Sequence, residues 1–265
     1  MAGSDSDSDG DMALLSTLLE EDTGSQGNPT GDGDGDGDGG AVESHHLRSI
    51  DAAIVVRQLP SRGLSFQLWP AAATLVSLLD LNPSLLLLPP KPSLRILELG
   101  SGTGLVGLAA AAALRARVVL TDLPHVLPNL RFNARANAPL LASRGAAAVR
   151  QLRWGERDDL LPLAASEGPF DAVLGSDVVY YDHLFDPLLE TLGHLVRGEV
   201  AFIMAHLRRW KKRDAVFSAR PRRCSTLRCS TRPRRCPGAV SGSPYIDSRR
   251  REGDDDTGDN LVTRF

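Results

Sequence analysis

Glu98-Leu99-Gly100-Ser101-Gly102-Thr103-Gly104 follows directly on an apolar run, Leu94–Leu99, and leads into an Ala-rich stretch, Gly104–Leu114. The order reads as strand, glycine turn, helix. Glycines let the backbone turn tightly and let a ligand approach without a Cβ in the way. The unpaired N–H groups of the following helix face that ligand. Asp122 ends the next apolar run, Val118–Thr121, 22 residues after Gly100. An acid at that offset is placed to accept both hydroxyls of a ribose and to do nothing else. The competing reading is a tight strand-to-helix turn that binds nothing.

Outward from this loop the chain alternates. Strands are predicted at Ala53–Leu59, Leu64–Leu68, Leu94–Leu99, Val118–Thr121, Ala147–Leu152, Phe170–Leu174 and Val200–Ala205. Helices are predicted at Pro70–Leu79, Gly104–Leu114, Val126–Ala136 and Leu184–Val196. Apolar runs, rather than strict alternation, indicate parallel strands covered on both faces. The fold class is α/β: a doubly wound, Rossmann-like, mostly parallel sheet. No strand pattern follows Val200–Ala205, so the C-terminal strands read as missing or replaced and its outer edge as bare.

Charge divides the chain into three parts. Its 265 residues carry a net −3, but residues 1–44 hold −12, residues 45–207 are neutral and residues 208–265 hold +9. Only the middle looks built to bury a core. Residues 1–44 read as a disordered acidic Gly/Asp/Ser head, with Met12–Leu19 as a transient amphipathic helix. Residues 45–217 read as the folded domain, and 218–265 as an atypical basic tail with Pro-Arg-Arg-Cys at Pro221–Cys224 and Pro233–Cys236. One choice of codons for Arg223–Thr231, shifted to its third base, encodes Leu-Phe-Asp-Val-Glu-Val-Leu-His, an alternating strand.

All three cysteines lie in that tail, which excludes a disulfide framework and points to a reducing compartment. No apolar run approaches the roughly 20 residues of a membrane span, and the N-terminus lacks the pattern of a signal peptide. A cytoplasmic protein, or a nuclear one, is expected, with no membrane partner. The histidines at 45, 46, 125, 183, 194 and 206 show no metal-ligand spacing and read as surface or helix-face residues, so no metal is expected. Arg208–Arg213 reads as the solvated end of a strand, and nucleic acid is not the expected partner. Oligomeric state is left open.

Gly102-x-Gly104-x-x-Gly107 also fits the dinucleotide fingerprint. Glu98 counts against it: a pyrophosphate turn favours the opposite charge nearby, and the chain is short for a second mononucleotide-binding half. Several motifs in order instead resemble the class I, seven-β-strand S-adenosylmethionine-dependent methyltransferases, and more narrowly their lysine methyltransferase-like protein methyltransferases. They are Phe66-Gln67-Leu68-Trp69-Pro70, Glu98–Gly104 continuing into Leu105-Val106-Gly107-Leu108, Thr121-Asp122-Leu123-Pro124, Leu152-Arg153-Trp154-Gly155 and Gly175-Ser176-Asp177-Val178-Val179-Tyr180. The resemblance spans roughly residues 60–210.

The resemblance implies S-adenosyl-L-methionine as cofactor and a protein lysine as acceptor. Gly100, Ser101 and Gly102 would line the methionine and ribose side, and Asp122 would hold the ribose. Trp154 would pack on the adenine, Ser176 would face the adenine edge, and Trp69 would contact the cofactor from the N-terminal side. Trp154 and Trp69 also read as hydrophobic anchors. Asp177 and Tyr180 form an Asp-x-x-Tyr element and are the catalytic candidates, assigned to orienting the acceptor. Asp177 otherwise reads as a helix cap or loop carboxylate. Val178-Val179 stands where enzymes acting on planar nitrogens often have Pro-Pro. A small-molecule methyltransferase, or an interaction protein with a vestigial cofactor site, remains the alternative.

Overall fold

The computed structural model describes residues 40–83, 91, 93–207 and 260–264. Its chain order is β1 (Ala41–Leu47), β2 (Ala52–Gln58), α1 (Pro70–Leu81), β3 (Arg95–Leu99), α2 (Leu105–Leu114), β4 (Arg117–Asp122), α3 (Leu127–Ala136) and α4 (Ala138–Ala142). Then come β5 (Ala146–Gln151), α5 (Arg157–Glu167), β6 (Ala172–Ser176), α6 (Asp182–Leu195), β7 (Ala201–Leu207) and β8 (Asn260–Arg264).

Strands lie in the order β5-β4-β3-β6-β7-β8, with β8 alone running antiparallel to its neighbour. The chain leaves β3 for β4 on one side and later enters β6 on the other. Their C-terminal ends therefore part around a crevice, where α/β sheets bind ligands. Successive residues of each strand serve opposite faces. Ile96, Val118, Leu120, Leu174 and Ile203 pack beneath α1, α2 and α3. Leu97, Leu99, Val119, Val173 and Phe202 pack against Leu160 and Leu163 of α5 and Phe185, Leu188 and Leu192 of α6. Burial on both faces explains why these strands read as apolar runs. The predicted doubly wound α/β class is the observed one.

Five stretches depart from the sequence reading, two of them helices absent from it, α4 and α5. Leu64–Leu68 is not a strand; Leu64–Phe66 is a 3₁₀ turn, the second of two joined at Gly63. Pro60 starts the first turn and Gly63 sits at φ +110°, so the chain reverses instead of extending. β1 begins at Ala41, inside the acidic head, and pairs with β2 from Ala41–Gln58 to Leu47–Ala52. The outer edge of β7 is not bare: β8 pairs with it from Ile203–Arg264 to Leu207–Asn260. Residues 1–39 and the tail from 208 to 259, with Met12–Leu19 and the Pro-Arg-Arg-Cys pairs, lie outside the described residues.

The other edge of β2 is served by side chains. Asn129, Asn133 and Asn137 recur every four residues along and just beyond α3, a rise of about 6 Å. That nearly equals the two-residue repeat of a strand. Asn137 accepts the Val55 N–H at 2.9 Å and donates to Val55 O at 2.7 Å. Asn133 does the same for Arg57, at 2.8 and 3.1 Å, and also donates to Thr103 O at 2.9 Å. The column ties the hairpin to the glycine loop.

Candidate active site

The glycine loop is held by β4. Ser101 N–H donates to Thr121 O at 2.9 Å, and Ser101 Oγ accepts the Thr121 N–H at 3.0 Å. Asp122, 6% exposed, accepts the Gly102 N–H at 2.7 Å through Oδ2 and the Leu123 N–H at 2.7 Å through Oδ1. Gly102 has φ +53°, and a Cβ there would stand 3.0 Å from Ser65 O. The turn thus needs glycine for its backbone and for the close approach of the segment after β2. Asp122 does more than the sequence suggested: it braces the loop as well as facing the crevice.

Glu98 is the buried charged residue of β3, 1% exposed. Its Oε2 accepts the Gly107 N–H at 3.1 Å. A Cβ on Gly107 would stand 2.6 Å from that oxygen and 2.1 Å from Leu120 Cδ2, so the last glycine of the fingerprint serves helix–sheet packing. Burial lifts the Glu98 carboxyl to about 8, and it raises Asp122 above the ordinary carboxylate range.

Around these residues lies a cavity of about 630 Å³, within the usual span for small-molecule sites. All the candidate residues line it. Gly100, Ser101, Gly102 and Asp122 line it from the glycine loop and the end of β4, and Ser176, Asp177 and Tyr180 from the end of β6 and the loop beyond. Trp69 and Trp154 line it as well. Trp69 Nε1 donates to Leu64 O at 3.0 Å, so it also pins the 3₁₀ segment. Trp154 meets Tyr180 edge-on at 6.4 Å between ring centroids. Burial, with the charge of Asp122 nearby, raises the Tyr180 phenol above its ordinary value and keeps it neutral.

Asp177 is not a helix cap: α6 starts after Tyr181 with no side-chain cap bond. It sits at φ +50°, where residues other than glycine are uncommon. Ser65, Glu156 and Tyr181 also line the cavity and were not singled out in the sequence. Ser65 and Glu156 carry no motif signal, while Tyr181 directly follows a candidate. His206, read as a surface or helix-face residue, is instead 5% exposed on β7.

The charge of the cavity discriminates between ligands. Its lining holds four acids, Glu98, Asp122, Glu156 and Asp177, and one base, Arg153. Arg153 is engaged in a fork with Asp159, at 2.8 and 3.0 Å. A pyrophosphate would meet acids with little to offset them; a cationic ligand would relieve the burial of Glu98 and Asp122. The residues therefore fit a compact, positively charged nucleoside better than a dinucleotide. Among the described residues no group of three or more His, Cys, Asp or Glu gathers to hold a metal ion.

The chain is similar to several known proteins. Protein N-lysine methyltransferase METTL21A of Danio rerio is 37% identical over 155 residues, covering 58% of this chain and 66% of that protein. METTL21A of Mus musculus is 36% identical over 155 residues, with the same coverage of 58% and 66%. EEF1A lysine methyltransferase 3 of Mus musculus is 42% identical over 101 residues, 38% of this chain and 40% of that protein. The chain spans just under two thirds of the length of the METTL21A relatives. Residues 50–221, well over half the chain and with every motif quoted above inside them, match the model of the family described as lysine methyltransferase. This chain belongs to the lysine methyltransferase family.

Proposed function

We propose that this chain is an S-adenosyl-L-methionine-dependent methyltransferase whose acceptor is a lysine side chain of a protein. The observation that carries the reading is the acid-lined cavity at the switch point between β3 and β6, with its single base already paired. Family membership and the names of the relatives support the lysine acceptor.

In this reading Gly100, Ser101 and Gly102 line the methionine and ribose, and Asp122 accepts from the ribose hydroxyls. Trp154 and Ser176 meet the adenine, and Trp69 closes the N-terminal side. Glu98, buried beneath the loop, accepts the Gly107 N–H and so braces the start of α2. A bound cofactor would supply an electrophilic methyl group on a sulfonium, with a neutral thioether as leaving group.

The chain's own residues must prepare that amine. A lysine ammonium has no lone pair and a reference pKa near 10.4, so it must first lose a proton. Asp177, at the cavity mouth, would hold and orient the ammonium, and an apolar wall favours the neutral amine. Tyr180 stays a neutral phenol, so it can wall the channel without adding charge. Alignment of nucleophile and methyl group along one line is the main catalytic contribution.

Calorimetry tests the cofactor half of the reading. S-adenosylhomocysteine should bind with micromolar or better affinity and compete with S-adenosylmethionine. Tight binding of NAD with no response to S-adenosylhomocysteine would overturn it.

A further inference from the structure

His206 stands on β7, next to β6 in the sheet, and it is the residue after Ala205, the register partner of Ser176. Asp177 follows Ser176, so the two side chains meet beyond the ladder. The Asp177 N–H donates to Ala205 O at 3.0 Å, carrying the strand pairing one residue further. His206 Nδ1 lies 3.4 Å from Asp177 Oδ1, with the side chains only 7% and 6% exposed. Consecutive residues of one strand therefore flank Asp177: Ala205 accepts its backbone N–H, and His206 stands within 3.4 Å of its carboxylate.

The hold matters because of the backbone it acts on. Asp177 occupies the left-handed region at φ +50°, and such a conformation persists only where its surroundings over-determine it. An Asp side chain has two rotatable bonds, and a displacement of about 1 Å in a positioned group costs up to about 100-fold in rate. Asp177 lines the cavity and His206 does not. The histidine can therefore set the carboxylate without touching acceptor or cofactor.

We infer that His206 is a positioning residue for methyl transfer: its imidazole, with Nδ1 at 3.4 Å from Asp177 Oδ1, fixes by this close polar contact the carboxylate that receives the acceptor amine. This rests on the function proposed above. A carboxylate beside Nδ1 favours a form of the imidazole that carries a proton there.

The test uses the full chain with three substitutions, His206→Ala, His206→Asn and His206→Gln. An Asn amide nitrogen falls where Nδ1 lies, and a Gln amide nitrogen falls where Nε2 lies. The probes are tritiated S-adenosylmethionine with a hypomethylated cell lysate, counting label in lysine after hydrolysis, and S-adenosylhomocysteine for calorimetry. Expected are losses of about 10- to 100-fold in transfer for Ala and Gln, with Asn within about threefold of wild type. Cofactor affinity should stay within about twofold throughout. Full transfer by the Ala variant, or an Asn variant as poor as Ala, would overturn the inference. Should a variant not fold, nitrogen-15 spectra of the wild-type imidazole decide: protonated Nδ1, perturbed by Asp177→Asn, is expected, and bare Nδ1 would overturn it. Wild-type protein that labels no lysine would sink the proposed function, while the spectra would still judge the His206–Asp177 pair.

Discussion

The Asp122 carboxylate accepts the Gly102 N–H at 2.7 Å, so the acid proposed to hold a ribose also fixes the loop that surrounds the cofactor. Asp122→Ala removes both duties. Hydrogen bonds to a charged group are worth about 1.5–3 kcal/mol, so cofactor affinity should fall by about 10- to 150-fold in calorimetry. The melting temperature should fall as well, because Gly102 and Leu123 N–H groups lose their acceptor. A variant that binds weakly at unchanged melting temperature would show that the brace carries no stability.

Glu98 gives stability a pH dependence of defined sign. Its carboxyl is lifted from 4.5 to about 8, so the folded chain holds the proton more tightly than the unfolded one. This contribution is fully present below about 4.5 and is lost as pH rises through about 8. Glu98→Gln keeps a carbonyl for the Gly107 N–H and removes the titration. Its melting temperature should vary less from pH 5 to 9, and it should exceed wild type at pH 9 by on the order of a few kcal/mol in stability. Parallel pH profiles would contradict this.

The glycines make a matched pair. A Cβ on Gly107 would stand 2.1 Å from Leu120 Cδ2, whereas one on Gly193 in α6 would meet nothing within 4 Å. Gly107→Ala should destabilise by about 1–3 kcal/mol through overpacking. Gly193→Ala should stabilise by about 0.5–1 kcal/mol through helix propensity. Denaturant titration of both variants checks the opposite signs.

Asn133 carries the hairpin. It is fully buried, and Asn133→Ala would remove the partner of the Arg57 N–H and of the Thr103 carbonyl, while the Arg57 carbonyl keeps Asn129. Each orphaned buried group costs about 1–3 kcal/mol. Hydrogen exchange should accelerate first at β1 and β2, and cofactor affinity should fall with it through Thr103. Uniform exchange across the domain would indicate global rather than hinge-like loosening.

What the sequence disclosed follows from what its residues have to bury. Leu94–Leu99 and Val118–Thr121 stand out because parallel strands are covered on both faces, and the loop between β3 and α2 is legible because glycines and acids recur there at fixed offsets. β1 escaped notice because it is exposed along most of its length and meets β2 chiefly through its backbone ladder. α5 was missed because it buries only Leu160 and Leu163 and carries Pro162 inside. β8 is five residues after an acid-rich run, with no periodicity to read. His206 looked like any other histidine until the register of β6 on β7 set it beside Asp177.

Methyl transfer to lysine is the central claim, and its direct test is one labelling experiment. The chain is incubated with tritiated S-adenosylmethionine and hypomethylated lysate, and the acceptor protein band is hydrolysed and its amino acids are separated. The account predicts label in methylated lysine, abolished by Asp122→Ala at limiting cofactor and reduced strongly by Asp177→Ala with cofactor affinity retained. Label in another residue, label confined to small molecules, or equal loss of binding and transfer in Asp177→Ala would contradict it.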